Sequence, residues 1–516
     1  MKRTSILHPF FFTIFPILFL FVHNRGWFTE YNDVAIIIIL SLIATAVIFF
    51  LLSLVLNNSK KAGIITSLFI LLFFSYGHLY EFIYAANTNL FILGRHRYLL
   101  LIFGLLFAFG FYICARTKRD LDNINKILNV SALTMVLITL FNLGVFELKS
   151  NTAIQDRTDS IEQDVISTES LSDTPDIYYI ILDAYASSQT LQSLFDYDNS
   201  EFTDYLKGKG FYIAEKSLSN YDRTPRSIPS SLNMKYLDPD IIEDGNVRPE
   251  KIIPMVRNNE VLRFLTSKGY TTINVGHWWE PTSYNEYADI NFEGGRYGNE
   301  FLTLLVRTTA LAPFLQSFLA SDARTEVLNS LDILENIPTN VDGPKFVFAH
   351  ILSPHSPYVF GKNGEEVAPH DTTNSMETNR AYLNQLIFIS KRIEKTVDVL
   401  LSKSKTPPII IIQSDHGVGG VGFVKMTDDI KKFNVEDYDH LQQQATLRNF
   451  SSYYLPGDGK SILYESITPV NSFRMIFNHY FGAQYEILPD RAYIVSGPDE
   501  EDGYTFLDIT ERVKYK

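Results

Sequence analysis

Pro407-Pro408-Ile409-Ile410-Ile411-Ile412-Gln413-Ser414-Asp415-His416-Gly417 is the stretch whose reading decides the fold. Four consecutive isoleucines do not alternate apolar with polar, so a strand made of them is covered on both faces, as in the parallel sheet of an α/β domain. The run stops at a carboxylate and an imidazole side by side, then at a glycine that lets the backbone turn. In open α/β sheets, ligands collect in the crevice at the carboxyl ends of the strands. Taken alone, Asp415 and His416 fit a polar turn after a strand as well as they fit a pair of metal ligands. Partners elsewhere in the chain decide between the two.

Upstream, Pro175-Asp176-Ile177-Tyr178-Tyr179-Ile180-Ile181-Leu182-Asp183 reads as a second buried strand ending in a carboxylate. Tyr270 to Val275 and Lys345 to Leu352 are further strand candidates, and Asn449 to Gly457 a later strand with its turn. Glu201 to Lys209 and Asn259 to Lys268 read as short helices ending at a glycine. Asn379 to Ser402 is a long amphipathic helix, with Leu383, Leu386, Ile393, Val397 and Leu400 at helical intervals. Strands alternating with helices predict an α/β domain with a mostly parallel sheet covered by helices on both faces.

The chain of 516 residues is too long for one ordinary domain, and its apolar residues are concentrated in the first 146. Five runs there approach the roughly 20 apolar residues that cross a hydrocarbon core: Ile6–Val22, Val34–Leu56, Ala62–Tyr80, Tyr98–Ala115 and Ile127–Phe146. The first has no small-residue cleavage site and more spans follow it, so it reads as an uncleaved anchor. The expected organisation is a five-helix transmembrane domain over 1–148, an acidic polar linker over 149–172 and a catalytic domain over 173–516. With alternating spans, Lys2, Arg3, Lys60, Lys61, Arg116, Lys118 and Arg119 share one side, against Arg25, Arg95 and Arg97 on the other. The positive-inside rule then makes the N-terminus cytoplasmic and the region after residue 147 extracytoplasmic. A net charge of −13 argues against nucleic acid as the main partner. The single cysteine, Cys114, lies in an apolar run and excludes both a disulfide framework and a cysteine metal site.

A third piece joins the two strand ends: Asn220-Tyr221-Asp222-Arg223-Thr224-Pro225-Arg226-Ser227-Ile228-Pro229. Proline favours the first helical position, which makes Thr224 an expected N-cap residue. A hydroxyl there stands in the positive field of a helix N-terminus, among backbone N–H groups that suit a phosphate or sulfate. Asp183, Asp415 and His416 offer hard oxygens and a borderline nitrogen, a set that suits zinc or manganese better than calcium. One divalent ion holding Asp183, Asp415, His416 and the Thr224 oxygen would ease the loss of the threonine proton near neutral pH. Thr224 is then the expected nucleophile.

These residues give the soluble half a resemblance to the alkaline phosphatase/sulfatase superfamily. Within it, the chain looks like the membrane-anchored branch of lipoteichoic acid synthases and lipid A phosphoethanolamine transferases, which likewise carry five N-terminal spans and an extracytoplasmic catalytic domain. The resemblance covers the architecture of nearly the whole chain but only four or five short motifs. It implies metal ligation by Asp183 and the Asp415-His416 pair, and a nucleophile at Thr224, three residues before Ser227-Ile228-Pro229. It puts Arg223 where the lipoteichoic acid synthases have a phosphate-binding lysine. In His350-Ile351-Leu352-Ser353-Pro354-His355-Ser356-Pro357 it points to His355 as a phosphate contact, with His350 the weaker candidate inside its strand. His277-Trp278-Trp279 resembles the aromatic substrate-binding segment, as well suited to a glycan or head group as to a partly buried core.

Two departures stand out. No cysteine lies outside the membrane to brace the nucleophile loop, and the first ligand is aspartate where the phosphoethanolamine transferases have glutamate. The expected activity is metal-dependent transfer of a phosphate head group from a membrane phospholipid donor, through phospho-threonine, to an extracytoplasmic glycan or lipid acceptor. The alternatives are a sulfatase-like hydrolase acting as a phosphodiesterase, or a catalytically degenerate membrane scaffold. Thr224-Pro225-Arg226 lacks the Cys/Ser-x-Pro-x-Arg setting from which sulfatases make formylglycine.

Overall fold

The isoleucine run forms a strand, Ile409–Gln413, in which Ile409 to Ile412 have no solvent exposure. The computed structural model describes every residue except 1–4, 25–30, 86–95, 156–173, 244, 294–299, 368–374, 420–434, 497–503 and 516. Its strands are β1 (Ile177–Leu182), β2 (Tyr212–Ile213), β3 (Ile242–Glu243), β4 (Asn246–Val247), β5 (Thr271–Gly276), β6 (Ile290–Glu293), β7 (Lys345–Ile351), β8 (Ile409–Gln413), β9 (Ser451–Tyr454), β10 (Tyr493–Val495) and β11 (Phe506–Asp508). Seven of them make one sheet in the order β2-β9-β8-β1-β7-β5-β6. The pairs from β8 through β1, β7 and β5 to β6 are parallel; β9 runs antiparallel to both β8 and β2.

The sheet is buried on both faces, which is why its central strands read as unbroken apolar runs. Tyr178, Ile180 and Leu182 face a core built with Leu191, Phe202, Leu386, Ile393 and Val397, from helices Ser188–Phe195, Ser200–Gly208 and Ser375–Lys403. Tyr179 points the other way, its ring 5.0 Å from Phe473 of helix Pro469–Phe481. Register fixes the functional edge. Ile181 of β1 lies opposite His350 of β7 and Gln413 of β8, so the carboxyl ends of three adjacent strands are level.

Contact grouping separates two units: Met1–Asp164 with Gly298–Leu319, and Val165–Tyr297 with Ala320–Lys516. The first is helical, with α1 (His8–His23), α2 (Tyr31–Leu56), α3 (Ser59–Ala85), α4 (His96–Arg116) and α5 (Asp122–Gln155). Among the described residues, four helices are long and apolar enough to cross a membrane: Val34–Leu56, Ser59–Tyr80, His96–Arg116 and Asp122–Val145. The expected fifth span, α1, has only 16 residues, or about 24 Å of helix against a core of about 30 Å. It is pinned by polar contacts: His8 Nδ1 lies 2.6 Å from Ser67 Oγ and its Nε2 2.9 Å from Asn125 Oδ1. The start of α1, the starts of α3 and α5 and the end of α4 share one end of the unit. Asn129 of α5 accepts from the Leu7 and His8 amides, Lys60 pairs with Asp122 at 2.7 Å, and Lys61 donates to the Ala115 carbonyl. That end therefore carries Lys60, Lys61 and Arg116.

Two boundaries differ from the sequence reading. Helix α5 continues to Gln155, through the first seven residues of the expected linker; 156–172 lie outside the described residues, as do Lys2, Arg3, Arg25 and Arg95. Residues 298–319, expected in the catalytic domain, group with the N-terminal helices instead. Phe301 and Leu305 of helix Glu300–Thr308 join a core with Phe12, Phe21 and Phe74, and the Ala310 amide donates to the Phe73 carbonyl. At Gly77 of α3, an added Cβ would lie 2.1 Å from the Arg307 carbonyl oxygen, so only glycine admits this backbone approach. Position after the linker points this segment to the catalytic domain, and its apolar face is the signal that it belongs elsewhere.

Candidate functional site

Asp183, His350 and Asp415 sit at the carboxyl ends of β1, β7 and β8, all three buried, with one ligand atom from each within 4.8 Å of the others. Local backbone chemistry sets each one. The Asp183 amide donates to the Ile351 carbonyl, extending β1 onto β7, and the Asp183 carbonyl accepts from the His355 amide at 3.1 Å. Ala184 follows with φ +61°, a left-handed conformation that costs a non-glycine residue energy and marks functional turns. Its amide donates to Asp415 Oδ1 at 3.1 Å, which holds that carboxylate by one oxygen and leaves Oδ2 turned to the site.

His416 is fixed in the same way. Its Nδ1 lies 2.7 Å from the Gly417 carbonyl, which can only accept, so Nδ1 carries a proton and Nε2 is the nitrogen that faces the carboxylates. From Nε2 the distances are 3.4 Å to Asp415 Oδ2, 3.8 Å to Asp183 Oδ1 and 3.3 Å to Thr224 Oγ1. Gly417 is required for space rather than for a turn. It has no positive φ, and an added Cβ would lie 2.2 Å from the Ala445 carbonyl oxygen and 2.6 Å from that of Arg448.

Thr224 opens the helix Thr224–Leu232 but is not its cap: Arg223 occupies the N-cap position and Thr224 is the first helical residue. The first turn also offers an anion fewer donors than expected. Pro225 has no N–H, and the Arg226 and Ser227 amides both donate to the Arg223 carbonyl. Arg226 is tied to Asp222 at 2.7 Å, whereas Arg223 is exposed. Ser227 binds the Tyr221 carbonyl at 2.8 Å and lies 3.1 Å from Ser219 Oγ, which in turn donates to the Asp415 carbonyl. Two serine hydroxyls thus join the helix Thr224–Leu232 to the Asp-His turn, a linkage that a Ser-x-Pro motif alone does not reveal.

Burial works against ionisation of Asp183, but the imidazoles of His355, His350 and His416 more than offset it and hold the carboxyl below its ordinary range. Burial likewise disfavours a charged His416, and the carboxylates of Asp415 and Asp183 reverse that, raising its pKa. Asp183 Oδ1 and Asp415 Oδ2 are buried without a hydrogen-bond partner among the described residues. Two such orphaned carboxylate oxygens beside an imidazole lone pair form the setting that a bound cation completes. A tetrahedral ion about 2.1 Å from each donor needs donors about 3.4 Å apart, and the spacings around His416 Nε2 run from 3.3 to 3.8 Å.

The remaining expected residues divide. His355 is half-buried beside the Asp183 backbone, its Nδ1 donating to the Ser356 carbonyl at 2.7 Å. Trp278 and Trp279 are half-buried after β5, and the Trp279 ring meets His350 edge-on at 5.7 Å. His277 is buried, with Nε2 2.9 Å from His350 Nδ1. His350 was the residue undervalued from sequence. It does lie inside the strand, as expected, but strand alternation turns it to the side of Phe346 and Phe348, its Nε2 3.3 Å from Asp183 Oδ2.

The profile of the family described as Sulfatase matches residues 176–473, more than half of the chain. The chain belongs to the sulfatase family. This places it among the phosphotransferases and hydrolases of the alkaline phosphatase superfamily, and the missing formylglycine motif separates it from sulfatases that use that residue. Among solved structures, the C-terminal periplasmic domain of EptC from Escherichia coli is similar at 12% identity and TM-score 0.45, over 66% of this chain and 94% of that one. The integral membrane lipooligosaccharide phosphoethanolamine transferase A from Neisseria meningitidis is similar at 11% identity and TM-score 0.40, over 91% of this chain and 94% of that one. No curated protein sequence matches the chain. At such identities, residue roles rest on this chain's own atoms.

Proposed function

We propose that this sulfatase-family enzyme transfers a phosphate-bearing head group from a membrane phospholipid to a hydroxyl of an extracytoplasmic glycan or lipid, through phosphorylated Thr224. The observation that carries the reading is the Thr224 hydroxyl 3.3 Å from His416 Nε2, beside the orphaned oxygens of two buried carboxylates. Asp183, Asp415 and His416, with the Thr224 oxygen, would hold one zinc or manganese ion. When bound, such an ion lowers the pKa of an attached hydroxyl and neutralises charge on the attacked phosphoryl group.

In the first half-reaction Thr224 Oγ1 loses its proton and bonds to phosphorus, the bond from phosphorus to the diacylglycerol oxygen breaks, and that oxygen takes up a proton. In the second, the acceptor hydroxyl loses its proton and bonds to the same phosphorus, and the Thr224 oxygen leaves and takes up a proton. In this reading Arg223, exposed at the helix N-cap, and His355, beside Asp183, bind the phosphate. Trp278 and Trp279 offer half-buried faces to the rest of the substrate.

In the same reading the short α1 joins the four longer helices as a fifth, uncleaved span, with Lys60, Lys61 and Arg116 at the cytoplasmic end and the α/β domain outside. A cysteine introduced between residues 156 and 173, with Cys114 replaced, should react with an impermeant maleimide in intact cells. Labelling only after lysis reverses the orientation.

The reaction itself is tested by mass spectrometry of the Thr224 peptide after the full chain is incubated with phospholipid membranes. The expected result is a covalent head-group phosphate on Thr224, whose mass names the donor. Diacylglycerol release from a fully active sample without any adduct at Thr224, even when quenched rapidly, removes the phospho-threonine route. Product analysis separates the two fates of the adduct: a head group found only as free phosphate ester means that water is the acceptor.

A further inference from the structure

We infer that His277 is a positioning residue that fixes the proton of His350 on Nε2, so that His350 meets the substrate phosphoryl group as a hydrogen-bond donor and not as a metal ligand. The inference rests on the phosphoryl-transfer reading above and deepens it by giving the two histidines beside Asp183 opposite roles.

The argument starts from a backbone amide, whose role as donor is fixed. Trp279 N–H donates to His277 Nδ1 at 3.1 Å, so that nitrogen carries no proton. Burial above all pushes the His277 pKa well below the ordinary imidazole value. The ring is therefore neutral, and its one proton is on Nε2. That atom lies 2.9 Å from His350 Nδ1 and 3.0 Å from Thr282 Oγ1. The Thr282 hydroxyl lies 3.4 Å from both the Trp279 carbonyl and His350 Nδ1, two acceptors for its proton, so towards His277 it accepts. Were His350 Nδ1 protonated, two N–H groups would face one another across 2.9 Å. His350 Nδ1 is thus the acceptor of the His277 N–H.

The proton of His350 then sits on Nε2. This atom is buried without a hydrogen-bond partner among the described residues and lies 3.3 Å from Asp183 Oδ2. His416 shows the reverse arrangement, its Nδ1 proton committed to the Gly417 carbonyl and its Nε2 lone pair presented to the site. β7 and the end of β8 flank β1, so a lone pair approaches Asp183 from one side and an N–H from the other. Proximity alone groups His350 with Asp183 and Asp415 as a possible ligand set. The hydrogen-bond chain from Trp279 through His277 removes His350 from that set and makes it a donor for a phosphoryl oxygen, of the kind that stabilises charge developing in the transition state.

The test compares four variants of the full chain in detergent, reading zinc bound at equilibrium and turnover of a labelled phospholipid. His350→Asn should keep zinc affinity within about threefold of wild type, while His416→Asn loses it by about 100-fold or more. Turnover in His350→Asn should fall by about 100-fold, the usual cost of one such donor. His277→Gln places an amide N–H near the position of the imidazole Nε2–H and should hold turnover within about tenfold of wild type. His277→Glu presents an acceptor, draws the His350 proton to Nδ1 and should lose about 100-fold with zinc retained. In wild-type chain labelled with ¹⁵N-histidine, the His350 resonances should be those of the Nε2–H tautomer.

Zinc loss in His350→Asn equal to that in His416→Asn would overturn the inference, as would equal turnover in His277→Gln and His277→Glu or an Nδ1–H spectrum for His350. Failure of the underlying reading has a different signature. Wild type would take up no zinc, or Thr224→Ala would remain active, with the His350 nitrogen spectrum still of the Nε2–H form.

Discussion

Thr224→Ala should reduce phospholipid turnover by at least about 10⁴-fold, the scale on which removal of a covalent nucleophile is felt. Diacylglycerol release from labelled phospholipid measures it. The loss should be confined to chemistry, because Arg223 and not Thr224 occupies the helix N-cap, and the hydroxyl's one described hydrogen bond goes to His416. The substitution therefore removes neither a cap nor a buried core contact, and the folded protein should retain its melting midpoint. Thr224→Ser keeps the oxygen but loses the methyl group that limits its rotamers. A misplacement of about 1 Å costs about 100-fold, so the serine variant should retain turnover within about that factor of wild type. Equal turnover in wild type and the alanine variant would remove Thr224 from the chemistry and the phospho-threonine with it.

The sheet was legible in the sequence because its central strands are buried on both faces. Ile409 to Ile412 and Ile177 to Leu182 leave no polar face to confuse the reading. Asp183 and Asp415 could be placed because one follows its run directly and the other comes three residues after Ile412, and parallel strands bring their carboxyl ends level. What the sequence concealed was side-chain direction. His350 is surrounded by apolar neighbours and looks like strand interior, yet the strand's alternation turns it to Asp183 while Ala349 and Ile351 face the opposite core. His277 shows the converse: a histidine in a promising motif whose two nitrogens are engaged in holding another residue.

The helix Glu300–Thr308 was assigned by sequence position, and position says nothing about which apolar surface a helix will cover. Gly77 and the Phe301 contact with Phe21 make that choice through tertiary packing. Helix α1 is as apolar as the four longer helices, and composition does not announce that it has only 16 residues. The left-handed Ala184, which aims an amide at Asp415, left no trace in sequence at all, since nothing in an Ala-Tyr-Ala run announces a positive φ.

Asp415→Asn should cost at least about 100-fold in affinity for zinc and manganese, yet leave the metal-free protein no less stable than wild type. The opposite signs follow from what the two buried carboxylates do without a cation. Asp183 Oδ1 and Asp415 Oδ2 face the same space with no hydrogen-bond partner among the described residues, and unpaired buried charge is costly. The imidazoles around Asp183 compensate in part, as its lowered pKa and the raised pKa of His416 show. An asparagine at 415 can keep its carbonyl on the Ala184 amide, where Asp415 Oδ1 now accepts at 3.1 Å. Its NH₂ then takes the place of Oδ2 and turns a repulsive contact with Asp183 into a hydrogen bond. A cation present at 100 times its Kd should stabilise wild type by about 2.7 kcal/mol. The measurement is a pair of thermal melts for each protein, after chelation and after reloading with zinc or manganese. Reloading should raise the wild-type midpoint and leave that of the variant unmoved, whereas an equal rise in both would mean that Asp415 does not bind the ion.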